Sequence, residues 1–370
     1  MKTFQELGVT DDFIKGLNEL GIITPTEVQE KSIPFLMENG GDMIVQAQTG
    51  TGKTAAFGLP LLAAIKPDVK EIQAVVVAPT RELAKQIGKQ LFRYTKYSAK
   101  IFVEVLCGGD NFDKQVSSLQ RPTHIVVVTP GRLLDLIKKK ALGLGHVKHL
   151  VLDEADEMLS MGFKKELEQI FNLTRSRKST WLFSATIPDG IRELITGCMT
   201  GQPHSLKIDK ANVVNKDIVH KFVVCTRDEK TQRIVDFLKR RKDERGVVFV
   251  RTKEGAILLA KQLLAAALAV DVIHGDLMQS ERDKVMRSFK KELTQVLVAT
   301  DVAARGIDVE GLSFVIHHQL PEQTEYYTHR SGRTARAGRK GVSIAFIEPR
   351  ERAKLKKLED KLDLSFSEMR

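Results

Sequence analysis

The chain has 370 residues, 42% hydrophobic and 28% charged, which fits a soluble protein with real cores and room for two or three domains of roughly 100–200 residues. No apolar run reaches the ~20 residues of a membrane helix, Met1–Glu6 lacks the apolar stretch of a secretory signal, and Cys107, Cys198 and Cys225 form no CxxC pair, which argues against zinc and for reduced thiols in a cytoplasm. The net charge of +11 suits a polyanionic partner and is uneven: residues 1–208 hold 26 Lys+Arg against 23 Asp+Glu, and residues 209–370 hold 32 against 24.

In chain order, the first apolar run is Met43–Val45, followed by Ala47-Gln48-Thr49-Gly50-Thr51-Gly52-Lys53-Thr54 and then a helical pattern. Glycines let backbone N–H groups approach phosphate oxygens, and the helix N-terminus adds its positive end. In such a loop Lys53 reaches the β- and γ-phosphates and Thr54 holds Mg²⁺. The general phosphate-loop pattern has Gly where this chain has Ala47. Further strands are expected at Ala74–Val77, Ile125–Val128, Leu150–Leu152 and Trp181–Phe183. Directly after the third of these stands Asp153-Glu154-Ala155-Asp156. A carboxylate at the end of a buried strand can hold a Mg²⁺ shell while its neighbour orients water, so Asp153 is assigned to the metal and Glu154 to the attacking water.

The polar stretch Asp209–Asp217 reads as a linker. Beyond it, strands are expected at Val247–Val250, Val270–Ile273, Val296–Val298, Phe314–Ile316 and Val342–Phe346, and Ala256–Val270 reads as a buried helix. Near-continuous apolar strands separated by helices mean α/β architecture with parallel sheets covered on both faces, here two of similar build. The basic segment His329–Arg339 follows the fourth of these strands. Arg333 and Arg336 share one face if that segment is helical, and arginines entering a γ-phosphate site stabilise the developing charge. A charged helix over Arg350–Leu362 closes the order.

The whole sequence resembles the DEAD-box family of RNA helicases, with the family's motifs in the family's order. Thr24-Pro25-Thr26-Glu27-Val28-Gln29 resembles the Q motif with Phe4 as its upstream aromatic, and Ala47–Thr54 matches motif I, alanine included. Pro79-Thr80-Arg81-Glu82-Leu83-Ala84, Gly108-Gly109 and Thr129-Pro130-Gly131-Arg132 resemble motifs Ia, GG and Ib. Asp153–Asp156 is the eponymous tetrapeptide, and Ser184-Ala185-Thr186 resembles motif III. Val248–Lys253, Gln279-Ser280-Glu281-Arg282, Ala299–Asp308 and His329–Arg336 resemble motifs IV, QxxR, V and VI. Ser331 and Ala335 stand where many members have Ile and Gly.

The resemblance implies two tandem RecA-like domains, residues 1–208 and 209–370, joined by a short linker. It implies ATP and Mg²⁺ as cofactors, and ATP hydrolysis coupled to local, non-processive unwinding or remodelling. Gln29 would read adenine through a bidentate amide pairing; Phe4 would stack on the base, with Thr24, Gly306 and Asp308 completing the nucleoside site and Asp308 on the ribose. Asp156, Ser184, Thr186 and His329 would couple the domains. Pro79, Thr80, Arg81, Gly109, Thr129 and Arg132 from domain one, and Thr252, Arg282 and Thr300 from domain two, would hold RNA by its backbone, without reading sequence. The motif details most resemble bacterial cold-shock and ribosome-assembly members. A monomeric cytoplasmic core with ribosome-assembly or RNA-decay partners is expected. The alternatives are a translocating DNA helicase of the same superfamily and an ATP-gated RNA clamp.

Overall fold

The computed structural model describes residues 2–38, 41–48, 50–199, 202–208, 217–304, 312–322, 324–335 and 340–369. The chain divides into two compact units, Met1–Asp209 and Lys210–Arg370. The segment read as a linker lies, apart from Asp217, outside the described residues.

The first unit is built on strands β1 (Met43–Gln46), β2 (Ala74–Val77), β3 (Val103–Leu106), β4 (Ile125–Val128), β5 (His149–Asp153), β6 (Ser179–Ser184) and β7 (His204–Lys207). All seven run parallel in the order β3-β4-β2-β5-β6-β1-β7. The strands read as continuous apolar runs because each face of the sheet has its own core. Val76, Ile125, Val127 and Val151 point to one core, with Phe57 and Tyr94. Val75, Val77, Val126, Val128, Leu150 and Leu152 point to the other, with Met158 and Phe171.

The second unit repeats the plan with β8 (Ile218–Val224), β9 (Gly246–Phe249), β10 (Val270–Ile273), β11 (Val296–Ala299), β12 (Phe314–His317), β13 (Gly341–Ile347) and β14 (Ser367–Glu368). These strands are parallel too, in the order β10-β11-β9-β12-β13-β8-β14. β9 must open on glycine: a Cβ at Gly246 would lie 2.2 Å from the Phe314 ring and 2.5 Å from the Phe314 carbonyl oxygen, and the backbone cannot step aside.

The architecture is the expected pair of parallel sheets, but four strands escaped the reading of apolar runs. β3 is an edge strand, half-buried over Val103–Val105 with only Leu106 buried, β7 is a largely exposed edge, and β14 is a two-residue exposed edge. β8 is interrupted by His220 and Lys221. The segment Ala256–Val270 is not one buried helix. The helix is Lys253–Ala265; it buries Ala256, Leu259, Ala260 and Leu263 and leaves Leu258 and Leu264 more than half exposed. Ala267 then takes a left-handed φ of 61°, and Val270 opens β10. Among the described residues, no helix is long and apolar enough to cross a membrane.

Candidate functional site

In a parallel sheet the loops that leave the C-terminal ends of the strands form one surface, and ligands bind there. Strand order decides which loops meet. In the first unit β5, β6 and β1 are adjacent, so Asp153–Asp156, Ser184–Thr186 and Ala47–Thr54 emerge side by side. β3, β4 and β2 are adjacent as well, which groups Gly108-Gly109, Thr129–Arg132 and Pro79–Arg81 next to them.

In the phosphate loop, Gly50 and Gly52 adopt left-handed φ values of 85° and 91°, and Gly52 caps the helix Lys53–Ala64. Left-handed backbone favours glycine. At Gly52 space adds a second reason, because a Cβ would come 2.4 Å from Gln29 Nε2. Lys53 is buried and its ammonium donates to the Ala47 carbonyl at 3.1 Å. Thr51 Oγ1 donates to the Gln48 carbonyl at 2.8 Å. Thr54 is half-buried in the first turn of the helix, and Thr49 lies outside the described residues. Ala47 is buried, and its N–H donates to the Ser184 carbonyl at 2.9 Å.

The Q-motif residues brace this loop. Gln29 Nε2 donates to the Gly52 carbonyl at 3.0 Å, and its Oε1 accepts from the Thr26 N–H at 2.9 Å. Thr26 Oγ1 donates to the Thr51 carbonyl at 2.8 Å. The Gln29 amide is therefore engaged at both ends inside the protein, whereas a bidentate adenine contact was expected of it. Phe4 differs more sharply from expectation. It is 3% exposed and packs in the core with Leu7, Val9 and Phe13, so it presents no free face for stacking. An isolated phenyl gains more by burial than by waiting for a base. Thr24 is exposed.

Asp153 ends β5 with its side chain 2% exposed. Burial pushes its carboxyl up to about 7, with Glu154 and Asp156 adding to the rise and the Lys53 ammonium and the Glu154 N–H opposing it. That N–H donates to Asp153 Oδ1 at 3.0 Å. A buried carboxylate held at a net cost fits a site for a divalent cation, which repays desolvation, and the Thr54 hydroxyl supplies a second hard oxygen donor. Glu154 is a non-glycine residue at φ 51°, ψ 52°, a strained conformation costing roughly 1–2 kcal/mol. Asp156 joins the tetrapeptide to motif III. Its Oδ2 accepts from the Thr186 N–H at 2.8 Å and the Thr186 hydroxyl at 2.9 Å, and its own N–H donates to Ser184 Oγ at 3.1 Å. Ser184 Oγ in turn donates to the Thr186 carbonyl at 2.7 Å. Asp156 Oδ1 is buried without a partner among the described residues.

Beside this centre, Thr80 caps the helix Arg81–Tyr94 and Thr129 Oγ1 accepts from the Gly108 N–H at 3.2 Å. Gly109 is left-handed at φ 77°, and Pro79 is buried. The Arg81 guanidinium bonds the Gly108 carbonyl and Asp110. Arg132, expected on RNA, is 8% exposed: it bonds Gln115 and donates to the Asp110 carbonyl at 3.0 Å. It holds the loop at 107–111 in shape rather than offering its charge to solvent. Asp110 and Gln115 are thus positioning residues that the motif reading missed; their ordinary surface character gave no signal.

In the second unit Thr252, Thr300 and Arg282 belong to connections that leave β9, β11 and β10, which are adjacent. Thr252 is exposed and caps the helix Lys253–Ala265. Arg282 donates to the Ala303 carbonyl at 2.6 Å, and Thr300 is buried. His329 is half-buried in the helix Thr324–Ser331. That helix stops before Arg333, which sits in the turn that follows, half-buried. Arg336, Gly306 and Asp308 lie outside the described residues. Arg330, unassigned in the motif reading, is 3% exposed and clamps Asp301 with two bonds of 2.5 and 2.6 Å, tying motif VI to motif V. Ser331 is buried with its hydroxyl 2.9 Å from Ser343 Oγ, and Ala335 is left-handed at φ 55°, which accounts for glycine at that place in many members.

Residues 26–194 match the DEAD/DEAH box helicase family, and residues 229–338 match the helicase conserved C-terminal domain. The chain is similar to a DEAD-box ATP-dependent RNA helicase, CshA, of Bacillus cereus, with 42% identity over 97% of this chain and 68% of that protein. It is similar to the ATP-dependent RNA helicase CshA of Listeria monocytogenes at 42% identity, over 97% of this chain and 69% of the other. Among solved structures it resembles S. cerevisiae Dbp5 bound to RNA and ADP BeF3, with TM-score 0.90 and 32% identity, covering 100% of this chain and 96% of that one.

Proposed function

The chain belongs to the DEAD-box family of ATP-dependent RNA helicases, and from that premise we propose how its residues divide the work. It is an enzyme that hydrolyses ATP and acts on RNA. The backbone N–H groups of residues 48–54 and the helix N-terminus receive the phosphates, with Lys53 on the β- and γ-oxygens. Asp153 and Thr54 hold Mg²⁺, which when bound neutralises charge on the phosphates. Glu154 orients the attacking water. Phe4, Thr24, Gln29, Gly306 and Asp308 serve the nucleoside. Gln29 must exchange one of its internal bonds for adenine as ATP arrives, and Phe4 contributes by shaping the wall. Arg333 and Arg336 act on the γ-phosphate, and His329, Asp156, Ser184 and Thr186 couple the domains.

RNA lies along Pro79, Thr80, Arg81, Gly109 and Thr129, with Arg132 holding the 107–111 loop in shape for it, and along Thr252, Arg282 and Thr300. The contacts run to phosphate and sugar, so RNAs of unrelated sequence bind alike and RNA is preferred to DNA through its 2′-hydroxyls. We infer a monomeric core that works in the cytoplasm on ribosome-assembly or decay intermediates; the RNA-helicase relatives it resembles are bacterial. The observation that carries this reading is the strand order: β5-β6-β1 gathers the phosphate and carboxylate loops, and β3-β4-β2 sets the RNA loops beside them. We predict that single-stranded RNA raises the ATPase rate severalfold or more while matched DNA does not. Equal stimulation by both would move the protein to the DNA-translocating branch.

Gln29→Ala removes an adenine contact and the brace on the Gly52 carbonyl. The expected result is a weaker affinity for both ATP and GTP, and a preference for ATP reduced roughly 10-fold, since one bidentate base contact is worth about 1–3 kcal/mol. Nucleotide titrations check it. An unchanged ATP:GTP ratio would place adenine recognition elsewhere.

A further inference from the structure

The catalytic face occupies the C-terminal ends of the first unit's strands, yet the unit's positive charge is concentrated at the opposite end. The segments 66–72, 119–124, 138–148 and 174–178 lead into β2, β4, β5 and β6. They contain ten Lys and Arg (Lys66, Lys70, Arg121, Lys138, Lys139, Lys140, Lys148, Arg175, Arg177, Lys178) and two acids (Asp68, Glu71), a net of +8. Residues 1–208 as a whole carry 26 Lys+Arg and 23 Asp+Glu, a net of +3, so everything else in that unit sums to −5. The phosphate-loop and RNA motifs do not use this charge.

Backbone hydrogen bonds stitch the segments into a row. The Lys70 carbonyl accepts from the Thr123 N–H at 3.3 Å, the Gln73 carbonyl from the Lys148 N–H at 2.7 Å, and the Lys148 carbonyl from the Lys178 N–H at 2.7 Å. Because β4, β2, β5 and β6 are consecutive in the sheet, Arg121, Lys70, Lys148 and Lys178 step across its lower edge, roughly 5 Å per strand. All four side chains belong to exposed residues, and none forms an ion pair among the described residues. Beside Lys70 and Arg121 a groove of about 370 Å³ is lined by these two with Glu71, Gly143, Gly145 and His146. The two glycines keep its wall low. At the next strand start, that of β3, Phe102 is 45% exposed.

We propose that this edge is a second RNA site, which holds the phosphate backbone of another segment of the same long or folded RNA. A row of cations that form no ion pair among the described residues, beside an exposed ring, is the combination that backbone-tracking nucleic-acid surfaces use. The site rests on the RNA-helicase reading and extends it: the catalytic face grips a short strand, and the far edge keeps the enzyme on its RNA between grips.

The test is the variant with Lys70→Gln, Arg121→Gln, Lys148→Gln and Lys178→Gln in the full chain, its fold checked by an unchanged thermal transition. ATPase stimulation by a short oligouridylate should stay within about twofold of the parent. Affinity for a long, folded ribosomal RNA fragment should fall at least ~10-fold, with the slope of log affinity against log salt shallower by about 3–4, since each lost phosphate contact removes roughly 0.7–0.9. Unchanged affinity and slope on the long RNA would overturn the proposal, and so would an equal loss on the short oligonucleotide. So would competition by polyglutamate as effective as competition by RNA, because the strip would then belong to an acidic protein. Failure of the parent protein to respond to the short oligonucleotide would instead strike the helicase reading itself.

Discussion

Glu154→Gln will bind ATP and RNA and fail to turn over. The substitution keeps the side-chain length and leaves Asp153, Lys53 and Thr54 in place, so phosphate and metal binding survive. The lost group is the carboxylate that polarises the attacking water, and such a group contributes roughly 10²–10⁴ to a rate. Its setting supports the role. Glu154 sits in left-handed backbone at the end of a buried strand, next to a carboxylate that burial already disfavours. Strain of that kind persists where the surroundings fix it. Nucleotide affinity should change less than about threefold while kcat falls at least 10²-fold, and the stalled protein should hold RNA longer than the parent. Near-parental turnover would remove Glu154 from the chemistry.

Arg333→Ala will be defective in a different pattern. A guanidinium that meets charge developed on the transferring phosphoryl group acts mainly in the transition state, so kcat falls by roughly 10³–10⁵ while ATP affinity of the open protein is largely kept. Steady-state kinetics beside a binding titration separates the two. An equal loss in both would make Arg333 a ground-state ligand. Arg330→Ala should not mimic it. Arg330 is buried and paired with the half-buried Asp301, and truncating it removes a buried guanidinium with all its bonds, which shows as lost thermal stability of the second unit.

The sequence revealed the fold at most central strands; β8, between β13 and β14, escaped because His220 and Lys221 interrupt it. Runs such as Val75–Val77 and Val126–Val128 have apolar cores on both sheet faces, and such a strand can only read as continuous. It concealed the edges. β7 and β14 are largely exposed and carry no hydrophobic signature, and in β3 the apolar run is cut to Val105-Leu106 by Glu104. The positions of Lys53, Asp153 and Ser184 at the C-terminal ends of strands were legible because each motif stands at a fixed offset from an apolar run. Roles set by side-chain direction were not. Nothing in the spacing told that Arg132 turns inward to Gln115, that Phe4 is core, or that Gln29 is spent on Gly52 and Thr26. The cation row at the lower sheet edge was hidden for another reason: its members lie in four separate segments and meet only through strand order.

The account's central claim is that ATP binding and hydrolysis by this chain separate RNA strands locally. A strand-displacement assay tests it most directly, on a short RNA duplex with a single-stranded extension, with ATP, without ATP, and with the Glu154→Gln protein. The account predicts ATP-dependent separation that fades steeply as the duplex lengthens, because a local bend opens only a few base pairs per grip, and that fails to recycle in the variant. Separation as fast without ATP as with it, or a rate indifferent to duplex length, would contradict it.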